Sequence, residues 1–284
     1  MHDLRTLVLC SAALLLCAAC SDGAANPKAR GAYTGPPPQT LSCVPNLDGR
    51  IDATEIQPAI GVTLSYLVSP PGTERTVNVA GTLDSKGNHY WDMSVDYASD
   101  QLAHIEPMAI AGKWYEASFP KDAFVAPFDP AGSIEQILRE DDQAVRLLGL
   151  ASEKKDPSDG RTLLVYQQPV SLLKFPLSPG EKFVSTGTIQ NGTLHGLPYA
   201  GKDIYEVSDD ATGELKLPQL TFTQVHRVRT KVTNQPSVGT STAQQQVSFY
   251  FECFSEVARI TSLQNETKAD FTTASEVRRL GIDP

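Results

Sequence analysis

Residues 134–150 read IEQILREDDQAVRLLGL, and the two ways of reading them lead to two folds. Ile134, Ile137, Leu138, Val145 and Leu148 partly follow the i, i+3, i+4 spacing of an amphipathic helix. Asp141 and Asp142 can equally turn one apolar strand into the next, because short acidic side chains hydrogen-bond their own backbone two residues on. We adopt the hairpin, with the helix as the alternative.

Working outward, short β-branched and aromatic runs recur on both sides: 62–68 (VTLSYLV), 76–82 (TVNVAGT), 89–95 (HYWDMSV) and 114–119 (WYEASF) upstream. Downstream come 162–173, 184–189, 204–207, 221–232 and 246–260. Turn clusters such as SPPGTE and DSKGN separate them, and Asn191-Gly192 is a hairpin signal. The pattern is antiparallel. A short C-terminal helix is expected over 274–280, because Thr273 and Glu276 spell a capping box and Gly281 offers a stop.

The N-terminus has a different character. An apolar run from Leu7 to Ala19 is too short to cross a bilayer, which takes about 20 residues, but it fits the core of a secretory signal. Residues 1–19 are therefore read as a signal peptide. The stretch Leu16-Cys17-Ala18-Ala19-Cys20 resembles the lipobox of bacterial lipoproteins, with Cys17 where leucine is commonest and Arg5 alone supplying the positive start. That resemblance implies lipidation of Cys20, export and anchoring in the cell envelope, with Ser21 pointing to the outer membrane. Several acyl chains at about 0.8 kcal/mol per buried methylene would make the attachment lasting. Residues 20–42, rich in Pro, Gly and Ala, read as a lipidated spacer, and 43–284 as one β-rich domain.

Of five cysteines, Cys10 and Cys17 go with the signal and Cys20 with the lipid. Cys43 and Cys253 remain, and two thiols in an oxidising compartment usually pair; two separate buried thiols are the alternative. The net charge of −9 argues against nucleic acid or an anionic membrane as a partner of the body through bulk electrostatics.

The stretch 169–183 (PVSLLKFPLSPGEKF), followed by hairpins and then by 217–232 and 247–263, is similar to bacterial envelope proteins of the domain-of-unknown-function 3108 family. A more distant similarity is to the lipoprotein carriers and receptors of the Lol system. It covers about residues 135–265 and implies a mainly β fold: a curved, partly closed antiparallel sheet or half-barrel with one or two short helices. It brings no catalytic residues.

One stretch spells most of a calcium loop. With Gly49 at the sharp turn of an EF-hand loop, Asn46, Asp48, Arg50 (through its carbonyl), Asp52 and Glu55 fall on ligand positions, while Val44 and Pro45 fail the start of the motif. The same letters describe a turn at Asp48-Gly49 and an N-cap at Asp52 with Glu55 as its partner. Weak calcium binding and a capped turn are the two readings.

His89, His104, His195 and His226 have no zinc-ligand spacing, and no nucleophile elbow, phosphate loop or dinucleotide fingerprint occurs. Arg227, Arg229 and Lys231 form a basic stripe along one strand, read as a solvated outer face. Aromatics at 90, 91, 114, 115 and 249–251 read mostly as core, with a few lining a groove. The expected function is non-catalytic binding of a hydrophobic ligand or an envelope protein on the concave face. A structural module ordered by calcium, and an envelope hydrolase, are the alternatives.

Overall fold

The computed structural model describes residues 43–56, 60–129 and 131–282. The signal segment 1–19, Cys20 and the spacer lie outside the described residues. Sixteen strands occur among them, all in one sheet. Six early strands are short: β1 Leu64–Val68, β2 Arg75–Thr76, β3 Thr82–Leu83, β4 His89–Asp92, β5 Gln101–Ile105 and β6 Met108–Ala109. Next come β7 Phe124–Pro127, β8 Ile134–Glu140, β9 Ala144–Ser152, β10 Leu163–Lys174 and β11 Lys182–Leu194. The last five are β12 Leu197–Lys216, β13 Thr221–Pro236, β14 Thr242–Phe251, β15 Ser255–Ser262 and β16 Thr273–Leu280.

The stretch 134–150 is the hairpin β8–β9, and the Asp141 carboxylate accepts the N–H groups of Gln143 and Ala144 at 3.0 Å each. Its helix-like spacing arises because apolar side chains are buried on both faces: Leu138, Val145 and Leu147 in one cluster, Ile137 and Leu148 in another.

From β6 to β16 each strand pairs with the next in an antiparallel meander, after which β1 adds to β16 and β5 adds to β1. The edge strands β5 and β6 are separated only by Glu106 and Pro107. Three peptide steps of 3.8 Å keep Ile105 and Met108 within about 11 Å, so the sheet must curl until its two ends meet. No ladder joins them, and the curl stops short of a closed barrel. The mainly β, curved and partly closed architecture is thus present, with single-turn 3-10 helices at Ala53–Glu55 and Glu116–Ser118.

Strand β12 shows how the two faces are sorted. Asp203, Tyr205, Val207 and Asp209 are buried, while Lys202, Glu206 and Asp210 are exposed, the period of two that a pleat imposes. A register shift between Asp209 and Ala211 then turns the strand over. Tyr205 and Val207 pack in the interior cluster, whereas Ala211 and Leu215 join the cluster built around Trp91 and Phe249.

That second cluster lies under the segment 75–100, which covers the outer face. Its irregular carbonyls are satisfied by two arginines of the sheet. Arg279 donates to the carbonyls of Met93 (2.8 Å) and Val95 (2.5 Å), and Arg227 to those of Val79 (2.9 Å) and Ala80 (3.0 Å). A third cluster, with Ile110, Tyr115 and Phe119 over Val125, Ile137 and Leu148, covers β7–β9. Glu135 anchors it by accepting from Lys113 (2.6 Å) and Tyr115 (2.5 Å).

Several expectations are corrected. Residues 273–280 are strand β16 rather than a helix, because the segment sits between β1 and β15 and finds ladder partners on both sides; so short a helix has little stability of its own. Residues 114–119 are turn and 3-10 helix, and 76–82 is largely irregular. The hairpin after β11 turns at His195-Gly196, both with positive φ (48° and 76°) as a type I′ turn requires. Asn191-Gly192 falls instead at a register shift within the β11–β12 ladder. Residues 246–260 are two strands, parted by the turn at Cys253.

Candidate functional site

Residues 43–56 run as a strap along the rim of the curl. Cys43 is disulfide-bonded to Cys253, 210 positions later and 5.6 Å away between Cα atoms. Buried Glu252 accepts the N–H groups of Asn46 (2.5 Å) and Leu47 (2.9 Å), and the Cys253 N–H donates to the Glu55 carbonyl at 2.7 Å. Ile51 exchanges both backbone hydrogen bonds with Leu177 (3.0 and 2.8 Å) and is fully buried with Ile56 in the interior cluster. The strap is therefore fixed at both ends.

Within it the five residues of the calcium reading do come together, turned toward the chain's own donors. The Asn46 amide donates to Glu55 Oε1 (2.7 Å), and the Asp52 N–H donates to Glu55 Oε2 (2.9 Å). Asn46 Oδ1 accepts the Asp48 N–H (2.8 Å), and Asp48 Oδ1 accepts the Arg50 N–H (3.1 Å). The Arg50 guanidinium lies 3.4 Å from both Asp48 and Asp52. Burial raises the pKa of Glu55 against the lowering effect of the Asp52 N–H, with Glu252 adding to the rise. Among the described residues no group of three or more His, Cys, Asp or Glu is arranged to hold a metal ion.

Behind the strap the curled sheet surrounds a partly open cavity of about 360 Å³. Its walls come from strands at both ends of the sheet order and from the middle: Leu64, Tyr66 and Ile105 from β1 and β5, Phe124, Leu138 and Val145 from β7–β9, Leu172 and Leu173 from β10, and Tyr250 from β14. Ile56, Cys253 and Phe254 form the rim. A wider hollow of about 550 Å³ at the strap's far side is open and acidic, with Asp122, Glu140, Asp141 and Asp142 against Lys121. Only Phe124 and Glu140 line both.

Polar groups line the cavity on β14–β16 and at Tyr66 of β1, with Gln136 and Glu140 of β8 across from them. Arg259 donates to Glu256 (2.5 Å), and the Tyr66 hydroxyl donates to the Glu256 carbonyl (2.7 Å). Tyr250 reaches Glu256 Oε2 at 3.4 Å. Arg278 pairs with Glu276 at 3.1 Å. Burial works against the charged form of Arg259, but Glu256 overrides it and the guanidinium stays charged. Burial also pushes the Tyr66 and Tyr250 phenols up, so both remain donors. Across the cavity Glu140 is raised to about 7, by burial first and Asp141 second.

Elsewhere Tyr166 (2.5 Å) and Asn234 (2.7 Å) hydrogen-bond to Asp203, and buried His226 pairs with buried Asp209 at 2.8 Å. Burial raises Asp209 against the lowering hydrogen bond from His226. Neither residue of this pair lines the cavity. The basic stripe is not a free outer face. Arg227 is buried on Asp210, Arg229 joins Asp210 to Asp270, and Lys231 meets Glu206 at 3.0 Å.

The sequence pointed to the turn at residues 44–55 and to the disulfide, but not to the strap they form or to the arginines of the cavity. Arg259 stands between Ala258 and Ile260, and Arg278 follows Val277; the one available signal was charge inside otherwise apolar runs. No family model, curated protein or solved structure matches this chain. What the fold and cavity define is an architectural class: an open, curled antiparallel sheet around an apolar hollow, closed at its rim by a disulfide-tied strap.

Proposed function

We propose that this chain is a lipid-anchored protein of the bacterial cell envelope that holds a hydrophobic ligand inside its curled sheet, without covalent chemistry. The carrying observation is the partly open cavity of about 360 Å³ with largely aliphatic and aromatic walls. It lies within the range of roughly 300–1,000 Å³ usual for small-molecule sites. Its apolar lining beside three buried core clusters makes it suited to an apolar guest. The anchor is supported by the lipobox resemblance ending at Cys20.

Two measurements test the reading. Native mass spectrometry of the protein purified without detergent should show a bound apolar molecule that organic solvent removes, and Leu138→Trp, which fills the cavity, should abolish it. A bare mass together with failure to take up any added acyl chain would overturn the proposal. For the anchor, Cys20→Ala should move the protein from the membrane pellet to the soluble fraction, and retention in the pellet would refute it.

A further inference from the structure

We propose that the cavity takes a single-chain amphiphile with an anionic head, its carboxylate or phosphate oxygens held by Arg259 and Arg278; this rests on the cavity being a ligand site. The two arginines are direct cross-strand partners on β15 and β16, and both line the cavity. Like charges placed opposite each other on one face of a sheet are unfavourable, and here Glu256 and Glu276 offset part of the repulsion. Each has one carboxylate neighbour, Glu256 or Glu276.

Those neighbours leave donors unused. The Nε atoms of Arg259 and Arg278 are buried and find no hydrogen-bond partner among the described residues, and Arg278 is only 4% exposed. Buried donors are almost always paired, and a guanidinium presents its five donors in a plane suited to carboxylate and phosphate. Arg75 and Arg279 also leave Nε unpaired, but both lie with Asp100 beneath the covering segment and line no part of the cavity. Both guanidiniums therefore border one apolar hollow, and each keeps one donor that the chain itself does not use.

The rest of the wall sets the polarity and size of the guest. Leu138, Leu172 and Leu173 offer a surface for an acyl chain, while the cations stand on β15–β16, where Glu256 takes up part of the charge of Arg259. The head accordingly lies at β15–β16 and the tail toward β8–β10. A volume at the small end of the usual range accommodates one chain in preference to a lipid with two or three.

The test uses the full chain and three probes with the same sixteen-carbon tail: palmitate, palmitoyl lysophosphatidate and hexadecanol. Calorimetric titration should give binding of at least one anionic probe, with hexadecanol on the order of ten- to a hundredfold weaker, the range expected of a charge-assisted hydrogen bond. Arg278→Gln should bring the anionic probes close to hexadecanol. Arg278→Lys, which keeps the charge and removes Nε, should also weaken them and covers the case in which the neutral variant does not fold. Preference for palmitate or for the lysophosphatidate tells which head is used. Hexadecanol binding as tightly as both anions overturns this inference and leaves hydrophobic binding standing, whereas no binding of any probe overturns both.

Discussion

Arg279 is the largest charged side chain fully buried in the sheet, and its partners are the backbone carbonyls of Met93 and Val95 and the Asp100 carboxylate at 2.5 Å. Arg279→Met would leave Asp100 with Arg75 alone and the Met93 and Val95 carbonyls without this donor, and a loss of about 1–3 kcal/mol is expected by urea denaturation. Arg279→Lys should recover only part, since an ammonium cannot span the same three acceptors as a planar fork. Glu140 gives a pH prediction. Its pKa in the fold, about 7, lies above its ordinary 4.5. The folded chain therefore binds this proton more tightly than the unfolded chain, and the group's contribution to stability, full below pH 4.5, falls as pH rises to about 7. Glu140→Gln should flatten that slope and raise Tm at pH 8; an unchanged slope would place the titration elsewhere. For Glu55, which accepts from Asn46 and Asp52, Glu55→Ala should cost about 1–2 kcal/mol. An equal loss in EDTA and in excess calcium indicates the capped turn, and a loss seen only with calcium indicates a site.

At the scale of elements, the parallel pairing of β4 with β12 depends on Gly213, where an added Cβ would fall 2.2 Å from the His89 carbonyl oxygen. Gly213→Ala should lower stability by about 1–3 kcal/mol and expose Trp91 to a fluorescence quencher; unchanged quenching would mean the segment 75–100 is held without this ladder. Much of the strand pattern was legible because β-branched and aromatic runs between turn residues have few other outcomes. The hairpin at 134–150 was readable through Asp141, whose side chain closes the turn. The end of the chain was not. Thr273 and Glu276 offered a capping box, and a local signal for seven residues was overridden by two full ladders formed with strands distant in sequence. Strand lengths were also hidden, because β12 passes through its register shifts without a break. The true β11–β12 turn went unseen because His195 is an uncommon residue at positive φ, while Asn191-Gly192 is the usual one.

At the scale of the whole molecule, the disulfide ties the strap to the far end of the sequence. Closing a loop of 210 residues corresponds to about 5 kcal/mol in the chain-entropy picture, an upper figure. Reduction, or Cys253→Ser, should lower stability by roughly 2–5 kcal/mol and loosen residues 43–56 first in hydrogen exchange; a strap that stays protected would show that Ile51 and Glu252 suffice to hold it. The cavity was the least legible feature, since its wall is gathered from both ends of the sheet order and no local spacing records which residues meet across a curl. The same arrangement bears on how the protein is made. Strand β1 lies against β16, so a strand at residues 64–68 waits for one at residues 273–280. The hairpins from β6 to β15 can form between neighbours as they are made, but until β16 is present β1 and β5 have no strand that joins them to the meander, and the curl stays undone.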